Sequence, residues 1–234
     1  MHGEQRHWLS AAEHLRLAGI KAPRRRDQFL AGRWLGRLAL ADFHGGSPED
    51  WRLSAPPDAA PRVTRGPVFH PGAIGLSHSG DTIACVLADA SLGVDVERHD
   101  RRALNVEGMA EIVLSDSEVL LWQKLPENSR QVGFLAWWTL KEAWLKAQGR
   151  AIDTGTLRRI NAHPSGSAVS NARLWQATDF TLALVGLDAA ASLNVASHSP
   201  IGEPQWWRID EFEPPKRGEY PVVSQFFREF ASVQ

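Results

Sequence analysis

The run Trp138-Thr139-Leu140-Lys141-Glu142-Ala143-Trp144-Leu145-Lys146 limits what this chain can become more than any other stretch. Phe134, Trp138 and Leu145 form one apolar stripe at helical spacing, and Trp137, Lys141 and Trp144 form another. A helix that is apolar around so much of its circumference belongs between layers, not on a surface. It is predicted from about Val132 to Gln148, with Gly149 as its C-terminal stop. Glu142 and Lys146, four residues apart, stack on one face. As a surface ion pair they would contribute only ~0.2–0.5 kcal/mol, but their apolar neighbours argue against a purely solvated face, and charges inside a fold need partners. Upstream, Gly93-Val94-Asp95-Val96-Glu97 reads as a strand. Its two acids point to one side while Val94 and Val96 point to the core. Taken alone, alternating acids most simply mark a solvated strand face. Beside Glu142 and Lys146 they complete three carboxylates and a lysine on two rigid elements. Such a set suits a hard divalent cation with phosphate oxygens next to it.

Composition narrows the alternatives. A chain of 234 residues, 43% hydrophobic, can build one large domain or two small ones around an ordinary core. A formal charge of −1 gives no global field toward nucleic acid or a membrane, so anion binding must come from local clusters. The single cysteine, Cys85, excludes an internal disulfide and a cysteine-rich zinc site, and its apolar surroundings read as simple burial. No secretory h-region precedes Trp8, and Phe180–Ala196 is too short and too polar to span a bilayer. The expected setting is the cytoplasm. The ten tryptophans are assigned to packing.

The remaining elements follow from local signals. Arg24–Leu40 reads as an amphipathic helix led in by Pro23, with Leu30, Trp34, Leu35 and Leu38 on one side and Arg26, Arg33 and Arg37 on another. Residues 44–72, rich in Gly, Pro, Ser and Asp, read as irregular. Strands are predicted at Ala73–Ser77, Thr82–Ala88 and Leu92–Glu97, with Gly80-Asp81 as the first turn. Helices are predicted at Glu107–Leu114 and Ser117–Lys124, where Ser115 and Glu118 form a capping box. Further strands are expected at Asn171–Gln176, Asp179–Leu187 and Ser192–Ser197, then a last helix at Val223–Ala231. Helices and strands fall into two similar-sized groups, residues 1–103 and 104–234, which points to an α+β fold.

Two more clusters bear on chemistry. Leu76-Ser77-His78-Ser79 places a histidine at a strand end, by default a structural residue. Ser77 and His78 cannot act as a nucleophile–base pair, because adjacent strand residues face opposite ways. A second Ser197-His198-Ser199 lacks downstream acids and is read as chance. Arg24, Arg25, Arg26, Arg33 and Arg37, with Asp27 the one acid among the first four, form a strong local charge suited to bidentate phosphate contacts.

Gly-Val-Asp-Val-Glu followed by Trp-Thr-Leu-Lys-Glu-Ala-Trp-Leu-Lys resembles the paired signature of the 4′-phosphopantetheinyl transferases of the surfactin-synthetase-activating type. The likeness runs from about Arg24 to Gly149 and includes Ser77-His78-Ser79 and Leu114-Ser115-Asp116-Ser117-Glu118. It departs at Thr64-Arg65-Gly66-Pro67, where the family commonly has Gly-Lys-Pro, so Arg65 would have to supply the missing charge. The resemblance implies two α+β halves related by pseudo-twofold symmetry, with the active site at their interface. It implies Mg2+, or Mn2+ in its place, on Asp95, Glu97 and Glu142. It implies coenzyme A as co-substrate, held by Arg25, Arg26, Arg33, Arg65, Ser77, His78, Lys141 and Lys146. Glu142, Lys146 and His78 are then the catalytic residues, with Glu142 left open as metal ligand, direct base or base through a water.

On that reading the enzyme moves the 4′-phosphopantetheine arm of coenzyme A to a serine of an apo acyl or peptidyl carrier protein, releasing adenosine 3′,5′-bisphosphate. The carrier would dock along Ala103–Gln131, using Val106, Met109, Ile112 and Val113, aided by Arg101, Arg102 or Lys124. A monomer with no nucleic-acid or membrane partner is expected. The alternatives are a magnesium-dependent nucleotide or coenzyme A pyrophosphatase and a non-catalytic module that binds coenzyme A or a carrier.

Overall fold

In the computed structural model, residues 7–57, 59–67, 73–88, 91–100, 105–187 and 201–212 are described. The expected strand Ser192–Ser197, the expected helix Val223–Ala231, Ser197-His198-Ser199, Arg101 and Arg102 lie outside them, as do residues 103 and 104 at the expected boundary. Helices and strands are mixed and largely segregated along the chain, the α+β class that the sequence pattern indicates.

The N-terminal part opens with helix α1 (Ala11–Gly19), whose start is fixed by a reciprocal capping box between Ser10 and Glu13. Helix α2 (Pro23–His44) carries Pro23 in its first turn, as expected, and runs one turn beyond the predicted end. The described residues between 44 and 67 are mostly irregular but hold a two-stranded ribbon, β1 (Arg52–Leu53) with β2 (Val63–Arg65). Strands β3 (Ala73–Ser79) and β4 (Thr82–Ala88) form an antiparallel hairpin, turning at Gly80, whose φ of +57° favours glycine. Leu40, Trp51, Leu53 and Ile74 close a small core under α2.

Strand β5 (Leu92–Arg98) departs from a simple meander. It pairs antiparallel with β8 (Phe180–Gly186), in a five-stranded sheet ordered β5-β8-β7-β9-β6. The other members are β6 (Ile160–Pro164), β7 (Ala172–Gln176) and β9 (Gln205–Glu211). Helices α3 (Val106–Val113), α4 (Asp116–Gln123), α5 (Glu127–Ala147) and α6 (Thr154–Leu157) complete the described residues. The Ser115–Glu118 capping box forms at the start of α4 as the sequence indicates. Gly149, at φ +65°, follows the end of α5.

Helix α5 is the buried helix that its double stripe demanded. Eleven of its residues are buried, from Phe134 to Ala147, and the largest core joins it to α3, α4 and the sheet. It lies directly on β5. A Cβ on Gly93 would stand 1.8 Å from the Ala143 carbonyl oxygen and 2.6 Å from the Ala147 nitrogen, so only glycine permits this approach. On β5, Gly93, Asp95 and Glu97 therefore face α5, while Leu92 and Val94 join a third core with Trp175 and Leu184.

Candidate functional site

The hairpin reaches β5 through side chains. Ser77 Oγ donates to Asp95 Oδ1 (2.7 Å) and accepts from the Val96 amide (3.3 Å). Two residues on, Ser79 Oγ donates to Glu97 Oε2 (2.6 Å) and accepts from the Arg98 amide (3.1 Å). The two contacts advance in the same direction along both chains, so β3 and β5 run parallel, bridged by hydroxyls. Ser77 and Ser79 are buried and His78 between them is exposed, the alternation expected of a strand.

Asp95 and Glu97 meet α5 from the other side. Trp138 Nε1 donates to Glu97 Oε1 (3.2 Å). Lys146 Nζ stands 2.5 Å from Asp95 Oδ1, 3.2 Å from Ser77 Oγ and 3.7 Å from Glu142 Oε2. The structure thus brings together Asp95, Glu97, Glu142, Lys146 and Ser77. Burial raises the Asp95 carboxyl above its usual range, and Lys146 and Ser77 oppose that rise. Asp95 Oδ2 is buried and has no hydrogen-bond partner. That orphaned oxygen, among three carboxylates, fits a hard cation in its chemistry. Among the described residues, however, no three His, Cys, Asp or Glu side chains are gathered closely enough to hold a metal as they stand. The ammonium of Lys146 lies between the strand acid and the helix acid.

His78 and Arg25 meet at the outer edge of this cluster, side chain to side chain. The imidazole pKa is lowered first by desolvation, then by the neighbouring charges of Arg25 and Lys146. Arg24 pairs with Asp81 at 3.0 Å across the hairpin turn. These contacts give the hairpin end a cationic rim.

Other candidates are placed differently. Lys141 is fully buried, and its three N–H groups go to the Glu118 carboxylate (2.5 Å), the Val113 carbonyl (2.8 Å) and the Leu157 carbonyl (2.9 Å). Its expected role as a coenzyme contact is therefore corrected: it is a core cation joining α5 to the ends of α3, α4 and α6. Burial lowers its pKa, against the pull of Glu118. Arg26 and Arg33 donate to the frame. Arg26 donates to the carbonyls of Leu17 and Ile20, and Arg33 to that of Ser54. Burial brings the Arg33 pKa down to about 10. Arg65 is exposed on β2, opposite Arg52. Arg37 and Glu13 form a fully buried pair at 2.6 Å, with Trp8 stacked on the guanidinium. Sequence reasoning passed over Glu13; its signal was the Ser10-x-x-Glu13 spacing.

Ser79 is the site residue that the sequence reading left unassigned. Its position two residues after Ser77, matched to the two-residue step from Asp95 to Glu97, was the available signal. The segment expected to receive a partner carries Ile112 exposed on α3. Beside it, Glu111, Asp116, Val119, Leu120, Gln123 and Arg158 line a groove of about 450 Å³. No helix among the described residues is long and apolar enough to cross a membrane.

Known proteins are similar to parts of this chain. The 4′-phosphopantetheinyl transferase superfamily matches residues 91–196, a stretch that begins at β5 and includes α5. The 4′-phosphopantetheinyl transferase HetI of Nostoc sp. (strain PCC 7120 / SAG 25.82 / UTEX 2576) is 31% identical over 62% of this chain and 61% of its own length. The 4′-phosphopantetheinyl transferase psf-1 of Bacillus pumilus is 33% identical over 41% of this chain and 38% of its own. The chain thus spans about three-fifths of the former and less of the latter. A holo-(acyl-carrier-protein) synthase from Bacillus anthracis str. Ames, solved in complex with CoA (3′,5′-ADP), is similar over 41% of this chain and 93% of that one, at 18% identity and a TM-score of 0.36. The similarity to 4′-phosphopantetheinyl transferases is thus carried by residues 91–196, the stretch that supplies both β5 and α5.

Proposed function

We propose that this chain transfers the 4′-phosphopantetheine arm of coenzyme A to a serine of an apo acyl or peptidyl carrier protein. The observation that carries the reading is the meeting of Asp95, Glu97, Glu142 and Lys146 across β5 and α5, beside the Arg25–His78 rim. Asp95, Glu97 and Glu142 would hold a divalent cation, magnesium or manganese. When bound it would neutralise charge on the pyrophosphate and its leaving oxygen.

The protein's own groups account for the rest. Lys146, Arg25 and His78 present cationic or donor groups to an anionic ligand, and Ser77 orients Asp95. In the transfer, the serine oxygen bonds to the phosphorus nearer the pantetheine. The bond from that phosphorus to the bridging oxygen breaks, and adenosine 3′,5′-bisphosphate leaves with the electron pair. Glu142, where it is not a metal ligand, takes the serine proton directly or through a bound water. Positioning and charge stabilisation dominate such phosphoryl transfers, so rigid carriage of these groups is the main contribution of the fold.

The test is the intact mass of an apo carrier protein after incubation with this protein, coenzyme A and magnesium, with a chelator control. A chelator-sensitive gain of one phosphopantetheine is expected, and Glu142→Gln should lose nearly all transfer while still binding coenzyme A. No gain on fatty-acid or peptidyl carriers despite coenzyme A binding would favour a binding module. Hydrolysis of coenzyme A without any carrier would favour a pyrophosphatase.

A further inference from the structure

Lys146 occupies the position at which a cation would serve these acids. Its Nζ lies 2.5 Å from Asp95 Oδ1 and 3.7 Å from Glu142 Oε2, joining the strand acid to the helix acid. The three side chains differ in freedom. Those of Asp95 and Glu142 are only 3% and 10% exposed, on a paired strand and a buried helix, whereas that of Lys146 is 36% exposed. Lysine carries its charge on a flexible four-carbon stem, so it alone can leave without moving backbone.

We infer that Lys146 is a resident counter-ion that a divalent cation displaces from Asp95, so that metal loading releases the ammonium toward the Arg25–His78 rim. The inference rests on the reading of Asp95, Glu97 and Glu142 as metal ligands. An oxygen that already holds an ammonium at 2.5 Å is not free to take a magnesium ion at the ~2.0–2.1 Å that this ion requires. Two cations on one buried carboxylate also repel strongly, because little water screens them. The unpartnered Asp95 Oδ2 gives an arriving metal a first foothold beside the ammonium. His78, on the strand that carries Ser77, is the nearest part of that rim in sequence to the hydroxyl Lys146 already contacts. Metal then loads before the anionic ligand, since the loaded acids free the group that meets the anion.

The test uses Mn2+ alone as probe. Free Mn2+ is followed by electron paramagnetic resonance in titrations of the parent, Lys146→Met, Asp95→Asn and the double variant, each first checked for folding by circular dichroism. Lys146→Met should bind Mn2+ about tenfold tighter or better, and that gain should vanish in the Asp95→Asn background. In the unaltered protein, limited lysine acetylation read by mass spectrometry should show Lys146 becoming more reactive as Mn2+ is added. Equal or weaker binding by a folded Lys146→Met, or no change in Lys146 acetylation, overturns the displacement and leaves the metal site standing. No Mn2+ bound by parent or variant up to about 1 mM overturns the metal reading, and the displacement with it.

Discussion

Gly93→Ala is the sharpest perturbation this structure offers. The added methyl would lie 1.8 Å from the Ala143 oxygen, 2.6 Å from the Ala147 nitrogen and 2.9 Å from the Ala143 carbonyl carbon. Ordinary contact begins near 3.4 Å, so the shortfall is about 1.6 Å against helix backbone, which cannot rotate aside as a side chain can. Strand β5 is held by β8 and α5 by its buried residues, so relief requires the helix to lift away from the sheet. Overpacking among adaptable side chains costs ~1–3 kcal/mol; with backbone on the opposing side, about 3 kcal/mol or more is expected. In a chain of this size each kcal/mol lowers Tm by ~2–4 °C, which puts the loss at about 6–12 °C. Thermal unfolding followed by circular dichroism measures it. Gly19→Ala is the control, because its methyl would meet nothing within 4 Å at the end of α1. If Gly93→Ala melts within about 1 °C of the parent, the direct seating of α5 on β5 is wrong.

Three further outcomes follow from the packing. Lys141→Met should cost ~3–5 kcal/mol in chemical denaturation, because it leaves the Glu118 carboxylate buried without its cation; a loss below about 1 kcal/mol would contradict the role given to that pair. Ser79→Ala removes the acceptor of the Arg98 amide and a donor to Glu97, and should cost ~1–3 kcal/mol. An unchanged denaturation midpoint would show that the hydroxyl bridge contributes nothing. Burial pushes the Cys85 thiol up to about 12, so at pH 8 only about one molecule in ten thousand carries the reactive thiolate. A disulfide reagent should therefore label the folded protein far more slowly than the protein in urea; equal rates would refute the burial.

Where local chemistry decides an element, the sequence was a good guide. The Ser115–Glu118 box, the Pro23 start, the Gly80 turn and the Gly149 stop each depend on residues within a few positions. The Asp95/Glu97 alternation was readable for the same reason. Long-range pairing was not. Strand β5 leaves its sequence neighbours for β8, some eighty residues on, and no local pattern records that choice. Strands β6 and β9 were missed because each alternates over only four residues, Ile160–His163 and Trp207–Asp210, with Pro164 closing the first and charge crowding the second. The arginines show the same division. Their count was legible, but Arg33 and Arg37 are turned inward by Glu13 and by backbone carbonyls far along the chain. Lys141 was expected among the coenzyme contacts through the family resemblance, yet one step along a helix rotates a side chain by ~100°, here toward Glu118 and the ends of α3 and α6.

The hydroxyl bridge between β3 and β5 turns two sheets into one lever. A backbone ladder would tie the strands without regard to what their side chains do. Here each serine ties to the acid that it orients as well as to a backbone amide of β5. A shift of the hairpin end, where His78 meets Arg25 of α2, is therefore felt at Asp95 and Glu97 as well as along the β5 backbone. The acids are thus aimed by a strand to which they do not belong.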